Sequence, residues 1–146
     1  MDISQADAKQ LSEVKYIEPE ELREALLSGK GEVLVLDVRD ADATGGKIRG
    51  AVNVPSESSV WAAPSDEGLT ASQKELVGQV SQYKVVVTHC AMSKQRGPTC
   101  ARALSQIVTA SDTETPPQIL VLRGGYNTFA SEFRRESDED PLFQDS

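Results

Sequence analysis

Short apolar runs alternate with amphipathic segments along most of the chain. The runs at 33–38 (VLVLDV), 84–88 (KVVVT) and 118–122 (QILVL) are too short for buried helices. They are typical of strands that are covered on both faces. Residues 51–55 (AVNVP) predict another short strand, which is stopped by its proline.

Helical periodicity fills the segments between these strands. Pro19 and the acidic residues beside it suit the first turn of a helix. Leu22, Ala25 and Leu26 form its apolar stripe, and the sequence SGKG then ends it. The same pattern predicts further helices from Thr70 or Ser72 to about Gln82, over 97–108 and over 126–134.

Strands that alternate with helices predict an α/β domain with a mainly parallel sheet. The length of 146 residues fits one domain. We expect a loose polar lead-in at 1–14, the folded domain at 15–135, and an acidic, frayed tail at 136–146.

The composition excludes several classes of partner. The net charge is −8, with 23 acidic and 15 basic residues, so nucleic acid and anionic membranes would repel the chain. No apolar stretch is long enough to cross a membrane, and residues 1–14 lack the apolar core of a secretory signal. We therefore expect a protein of the cytoplasm, or also of the nucleus, that binds neither nucleic acid nor membrane.

The few cysteine and histidine residues leave no pattern for a metal site. Cys90 and Cys100 are the two cysteines and His89 is the single histidine, so neither CxxC nor HExxH spacing is present. In a reducing compartment both cysteines are expected to be free thiols. An anionic substrate would need a local positive pocket in this acidic chain.

The segment 84–102 combines the features of such a pocket. Cys90 follows a buried strand, Arg96 comes six residues later, and Gly97-Pro98 open a helix. Ligands of open α/β sheets bind at this strand-to-helix position. Loop amides at a helix N-terminus form an anion nest, and Arg96 can place two N–H donors on two oxygens of a phosphate-like group. The same positive field favours the Cys90 thiolate, so we predict that Cys90 is a nucleophile.

The residues between Cys90 and Arg96 complete the predicted oxyanion-binding loop. They are Ala91, Met92, Ser93, Lys94 and Gln95. Ser93 adds a hydroxyl group. Lys94 either steers an anion toward the loop or points to solvent.

Three charged or polar residues near this loop leave alternatives open. Asp37 and Arg39, at the end of a buried strand, either support the site electrostatically or form a buried ion pair that anchors a loop. His89 either stabilises the thiolate or points away from the loop, as strand neighbours alternate.

For Cys100 and Trp61 the sequence allows either a packing role or a role at the site. Cys100 either belongs to a helical apolar stripe or resolves an oxidised Cys90. Trp61 borders the pocket or anchors its own segment. Gly124 and Gly125 are expected to be turn glycines.

Residues 89–98, HCAMSKQRGP, resemble the active-site loop of the M-phase inducer phosphatases, and resemble still more that of their small relatives, the eukaryotic arsenate reductases. Three further segments resemble rhodanese domains in the same order, LDVR at 36–39, GGKIRGAVN at 45–53 and VLRGGY at 121–126. The resemblance covers roughly 15–134. It implies a rhodanese-like fold, with a mainly parallel five-stranded sheet flanked by helices.

The resemblance also implies an activity. The M-phase inducers carry glutamates directly after the cysteine and directly before the arginine, where this chain has Ala91 and Gln95. Ser93-Lys94 followed by an amide resembles the arsenate reductase loop better, and Lys47 replaces the usual histidine of the family. We therefore expect an arsenate reductase with phosphatase activity and no tightly bound cofactor, which uses glutathione and glutaredoxin as external reductants.

Three alternatives remain. The first is a protein tyrosine or dual-specificity phosphatase. The second is a thiosulfate sulfurtransferase, a class whose loop is typically one residue shorter. The third is an inert rhodanese-like binding module, which is expected to have lost its cysteine or arginine.

Overall fold

The computed structural model describes residues 14–43, 45–135 and 140–145. Within them the strands are β1 (Lys15–Ile17), β2 (Val33–Asp37), β3 (Lys47–Ile48), β4 (Val52–Asn53), β5 (Val85–His89), β6 (Gln118–Leu122) and β7 (Phe143–Gln144). The α-helices are α1 (Pro19–Leu27), α2 (Ala71–Val80), α3 (Arg96–Ala110) and α4 (Gly125–Phe133), and a short 3-10 helix spans Ser59–Trp61.

The main sheet has five parallel strands in the order β1-β6-β5-β2-β4. The predicted α/β class and the mainly parallel five-stranded sheet are therefore confirmed. β1 was not predicted, because three residues at a sheet edge carry too little pattern. The strand predicted at 51–55 is reduced to Val52–Asn53.

The apolar runs are continuous because both faces of the sheet are covered. Val35 of β2 and Val87 of β5 pack with Phe129 of α4 on one face. Their neighbours, including Leu34 and Val86, pack on the other face against the helical side of α2 and α3. Alternate residues of one run thus enter different halves of the core.

The first two α-helices begin with capping boxes, in which side chains satisfy free backbone N–H groups. Glu18 and Glu21 form a capping box at α1, with Pro19 in the first turn. Thr70, rather than Ser72, caps α2. Its hydroxyl oxygen accepts from the Gln73 N–H, and the Gln73 side-chain oxygen accepts from the Thr70 N–H. The buried Gln73 amide also donates to backbone carbonyls of the 3-10 segment, which ties that segment to α2.

The prediction of a frayed C-terminal tail is wrong for residues 140–145. β7 pairs antiparallel with β3, and Leu142 and Phe143 are almost fully buried in the core half that contains α4. Arg49 donates to the carbonyl oxygens of Asp140 and Phe143. Two apolar side chains in an acidic tail outweigh the charge pattern, since their burial against the sheet is favourable.

Residues 1–13 of the predicted lead-in and 136–139 and 146 of the predicted tail lie outside the described residues. In the described ranges, no helix combines the length and apolar character that crossing a bilayer requires.

Truncating Phe143 tests whether the end of the chain belongs to the core. Its side chain contacts the aromatic rings of Tyr126 and Phe129. We expect Phe143→Ala to lower the free energy of unfolding by about 3 kcal/mol in urea denaturation, since a buried phenylalanine leaves a cavity.

Asp145→Ala is the matched control, because this fully exposed neighbour should change stability by less than about 0.5 kcal/mol. If Phe143→Ala lowered the free energy of unfolding no more than the control does, the interpretation of 140–145 as a frayed tail would be correct after all.

Candidate active site

The site lies at the carboxyl edge of the parallel sheet. β5 ends at His89, Cys90 follows it, and α3 begins at Arg96. β2 ends beside it at Asp37, which is in register with His89. Parallel strands bring these ends to one edge, so the predicted strand–loop–helix arrangement is present.

The Cys90 thiol is nearly inaccessible and receives a hydrogen bond from its own loop. The residue is 3% exposed and belongs to a small apolar cluster with Val38 and Cys100. The backbone N–H of Ser93 lies 3.1 Å from the Cys90 sulfur. Ser93 reaches this position through a left-handed backbone, with φ of 53°. The loop therefore curls around the sulfur and aims a donor at it.

The N-terminus of α4 holds the start of this loop. The N–H groups of Tyr126 and Asn127 donate to the carbonyl oxygens of Cys90 and Ala91, both at 2.9 Å. A trans peptide points its N–H opposite to its C=O, so the N–H groups of Ala91 and Met92 face away from α4. The contact fixes the orientation of the first two peptide groups of the loop.

Gly125 allows this close approach. Its φ is +67°, and a Cβ atom there would lie 2.6 Å from the Ala91 carbonyl oxygen. A side chain at this position would push the loop away from α4. The prediction of a turn glycine is confirmed, and the structure adds that the turn presses against the active-site loop.

The guanidinium of Arg96 is occupied by carboxylates. Two of its nitrogens bind the two carboxylate oxygens of Asp42 at 2.7 and 2.8 Å, and one also lies 3.2 Å from Asp40. Sequence patterns did not single out Asp40 or Asp42. The available signal was a D-x-D sequence directly after Arg39, in the loop that leaves β2.

These contacts shift the acidity of all three groups. The hydrogen bond from Arg96 holds the pKa of Asp42 well below its ordinary value. The same pair raises the pKa of Arg96. The hydroxyl of Ser56, together with the Glu57 N–H and Arg96, lowers the pKa of Asp40. Both acids are therefore ionised at neutral pH.

Asp37 and Arg39 form a buried ion pair. Arg39 nitrogens lie 2.7 to 3.1 Å from both Asp37 carboxylate oxygens, and both side chains are 3% exposed or less. Arg39 also donates to the Gly46 carbonyl and stacks on the Tyr126 ring at 4.2 Å. The geometry favours the loop-anchoring interpretation, because the pair joins β2, its exit loop and α4.

His89 is buried and neutral. Its Nδ1 lies 3.2 Å from the Cys90 carbonyl oxygen, which can only accept, so Nδ1 carries the proton. Nε2 has no hydrogen-bond partner among the described residues. Burial lowers the pKa of His89, and the nearby Asp37 charge only partly opposes this. His89 therefore supports the Cys90 backbone and brings no positive charge to the Cys90 side chain.

Among the remaining loop side chains, one is buried in the protein and three are exposed to solvent. Met92, Lys94 and Gln95 are exposed, which fits the solvent-facing alternative for Lys94. Ser93 is buried, and its hydroxyl has no partner among the described residues. It lies close to Gly97, beneath the loop.

Cys100 and Trp61 pack around Cys90. Cys100 is 2% exposed and is a free thiol, and burial raises its pKa to about 12. A thiol with that pKa is a poor nucleophile at neutral pH, which favours the core interpretation. Trp61 packs against the same cluster and donates to the Pro55 carbonyl at 3.0 Å, so it both borders the site and anchors its segment.

No three His, Cys, Asp or Glu side chains gather into a metal-ligand cluster within the described ranges.

Comparisons with known proteins agree with this architecture. A model of the rhodanese-like domain matches residues 18–132. The dual specificity phosphatase ibp1 of Schizosaccharomyces pombe is 28% identical over 82% of this chain and 90% of its own length. M-phase inducer phosphatase 1 of Rattus norvegicus is 33% identical over 80% of this chain, but this chain spans only 22% of that protein.

Solved structures give the same grouping. The As-Sb reductase of Leishmania major has a TM-score of 0.68 and 28% identity, covering 83% of this chain and 79% of its own. Yeast Ygr203w, described as a protein tyrosine phosphatase of the rhodanese family, has a TM-score of 0.70 and 26% identity, covering 89% and 91%. These relatives are described as phosphatases and as a reductase.

The titration of His89 tests its buried, neutral state. The unfolded chain binds a proton near the ordinary value of 6.5, whereas folded His89 binds it only at lower pH. Acid therefore favours the unfolded chain. We expect the free energy of unfolding to fall as the pH drops through 6.5, because the unfolded chain then takes up a proton that folded His89 does not.

His89→Asn keeps a hydrogen-bond donor and should flatten this slope. Because His89 is the single histidine of the chain, its ring proton signal in NMR gives the folded pKa directly. A midpoint at or above 6.5 would contradict the assignment.

Proposed function

Because the chain belongs to the rhodanese-like domain family, we propose that it is an oxyanion enzyme in which the Cys90 thiolate reduces arsenate with external thiols and hydrolyses aryl phosphates slowly. The observation that carries this proposal is the curled loop at the end of β5, with the Ser93 N–H on the Cys90 sulfur and α3 beginning at Arg96. The likeness to an As-Sb reductase and to phosphatases supports the same chemistry.

Cys90 and Arg96 divide the work on the oxyanion. The sulfur attacks the arsenic or phosphorus atom, and Arg96 with the loop amides stabilises the charge that develops on the oxygens. The N-terminal end of the 15-residue helix α3 adds a favourable dipole at the same place. The donors of the loop, the helix end and Arg96 thus converge on the place that the oxyanion would occupy.

Arsenate reduction needs no acid on the loop beyond the thiols. Cys90 displaces one arsenate oxygen, which leaves as water, and an S–As bond forms. Glutathione then attacks the Cys90 sulfur, and the electron pair of the S–As bond goes to arsenic. Arsenite leaves as As(III), and a mixed disulfide between Cys90 and glutathione remains. Glutaredoxin reduces that disulfide and restores the thiol.

Phosphate-ester cleavage makes a further demand, because the alkoxide or phenolate benefits from a proton donor. Ala91 and Gln95 bring no carboxyl group to the loop. Asp37 is bound to Arg39 and Asp42 to Arg96, so neither is a proton donor in the free enzyme. We therefore rank arsenate reduction above hydrolysis of esters with poor leaving groups.

A protein tyrosine or dual-specificity phosphatase is the second candidate. It is favoured by the similarity to ibp1, which extends over 90% of that protein. Fast hydrolysis of phosphotyrosine peptides by a protein without arsenate reductase activity would reverse the order of the two candidates. Efficient transfer of sulfur from thiosulfate to cyanide would replace both with a sulfurtransferase.

Replacing the nucleophile tests the mechanism. Cys90→Ser should abolish arsenate reduction, measured with glutathione and glutaredoxin supplied, and aryl phosphate hydrolysis, because the hydroxyl is a far weaker nucleophile. Circular dichroism should show an unchanged fold.

Cys100→Ala is the matched control. It removes the other buried thiol, should cost about 1 kcal/mol of stability, and should leave both turnover rates unchanged. Full activity of Cys90→Ser would rule out the mechanism, and loss of arsenate reduction in Cys100→Ala would give Cys100 a redox role.

Restoring an acid tests the argument about the proton donor. Gln95 is exposed at the end of the loop, so Gln95→Glu should be tolerated. We expect it to raise the hydrolysis rate of aryl phosphates whose leaving groups have a high pKa by about tenfold or more, and that of activated esters much less.

Gln79→Glu, an exposed position on α2, adds the same charge away from the site and should change neither rate. An equal gain for all leaving groups would show that Gln95→Glu does not act through proton transfer.

A further inference from the structure

The oxyanion-binding arginine of this chain already holds an anion of its own. The Asp42 carboxylate occupies the Arg96 fork at 2.7 and 2.8 Å. This is the bidentate geometry that arginine uses for phosphate-like groups. An oxyanion that takes the same donors must displace the carboxylate.

The two acids beside Arg96 are anchored differently. Asp40 accepts hydrogen bonds from the Ser56 hydroxyl and the Glu57 N–H, its side chain is 15% exposed, and it makes one longer contact to Arg96. Asp42 is 43% exposed, and its other contact is with the N–H of Asp40. Asp42 can therefore turn into water when Arg96 leaves, whereas Asp40 stays in place.

We propose that Asp42 is a positioning residue that competes with the oxyanion for Arg96 and so sets the affinity of the site for substrate and product. Between turnovers the Asp42 carboxylate stays bound to Arg96 beside the loop. An entering oxyanion binds the two N–H donors of Arg96 and displaces the Asp42 carboxylate into solvent. When the product departs, Asp42 recaptures Arg96. This inference rests on the proposed role of Arg96 in binding an oxyanion.

The competition predicts that removing the carboxylate tightens binding. With Asp42→Asn, Arg96 loses its charged partner and its donors are free for the ligand. We expect the dissociation constant of inorganic phosphate, measured by isothermal titration calorimetry, to fall about fivefold, the upper end for a half-exposed ion pair. Asp42→Glu keeps a carboxylate and should bind phosphate as the wild type does.

Two variants with the same charge change separate the contact from general electrostatics. Asp112→Asn lies beyond the far end of α3 and should leave phosphate affinity unchanged. Asp40→Asn removes a charge beside Arg96 but keeps the bidentate pair, so its gain should be smaller than that of Asp42→Asn.

Kinetics provide a readout that a structural role would not give. For an aryl phosphate, Asp42→Asn should lower KM by about the same factor as the phosphate dissociation constant, without raising kcat. Release of Arg96 from Asp42 then strengthens substrate binding and leaves the rate of the chemical step unchanged.

The outcomes distinguish this inference from the proposed function. If wild type binds phosphate and Asp42→Asn binds it no more tightly, Asp42 does not compete and only this inference fails. Equal tightening in Asp40→Asn would show a field effect of nearby charge and would also overturn it. If neither wild type nor any variant binds phosphate or arsenate, the proposed oxyanion site fails as well.

Discussion

The ion pair between Asp37 and Arg39 is the constraint on which the site depends. Both charges are almost fully removed from water, and separating them would leave each charge buried without a partner. The pair therefore fixes the point at which the chain leaves β2. Arg39 also reaches the Gly46 carbonyl and the Tyr126 ring. One buried contact thus sets the position of the exit loop, and with it the place from which Asp40 and Asp42 meet Arg96.

The loop from Cys90 to Arg96 is positioned by a different element. The N-terminus of α4 donates hydrogen bonds to the first two carbonyl oxygens of the loop, and His89 also contacts the Cys90 carbonyl oxygen. Gly125 lets the helix come close enough to do so. Contacts from outside the loop thus fix its first two peptide groups. Its outer side chains, Met92, Lys94 and Gln95, are exposed to solvent.

Local patterns in the sequence predicted the central strands, the helices and the strand–loop–helix setting of Cys90, because each depends on residues that are close in sequence. The features that were missed depend on long-range contacts. Arg96 meets Asp42 across 54 positions of sequence, and no periodicity indicates that pairing. β3 and β7 are two residues long each, and their pairing depends on the burial of Phe143 in an acidic segment. Charge was a poorer guide there than two apolar side chains.

The pairing of β7 with β3 has a consequence for the order in which the molecule assembles during synthesis. Ile48 leaves the ribosome long before Phe143, and β4, β5 and β6 of the parallel sheet emerge in the interval. At about 5–20 residues per second, the gap lasts several seconds. During it, the surface that Leu142 and Phe143 later cover stays open to water. Once β6 has emerged, all five strands of the main sheet are available, and until Phe143 follows the nascent chain exposes an apolar face to which a chaperone for such faces can bind.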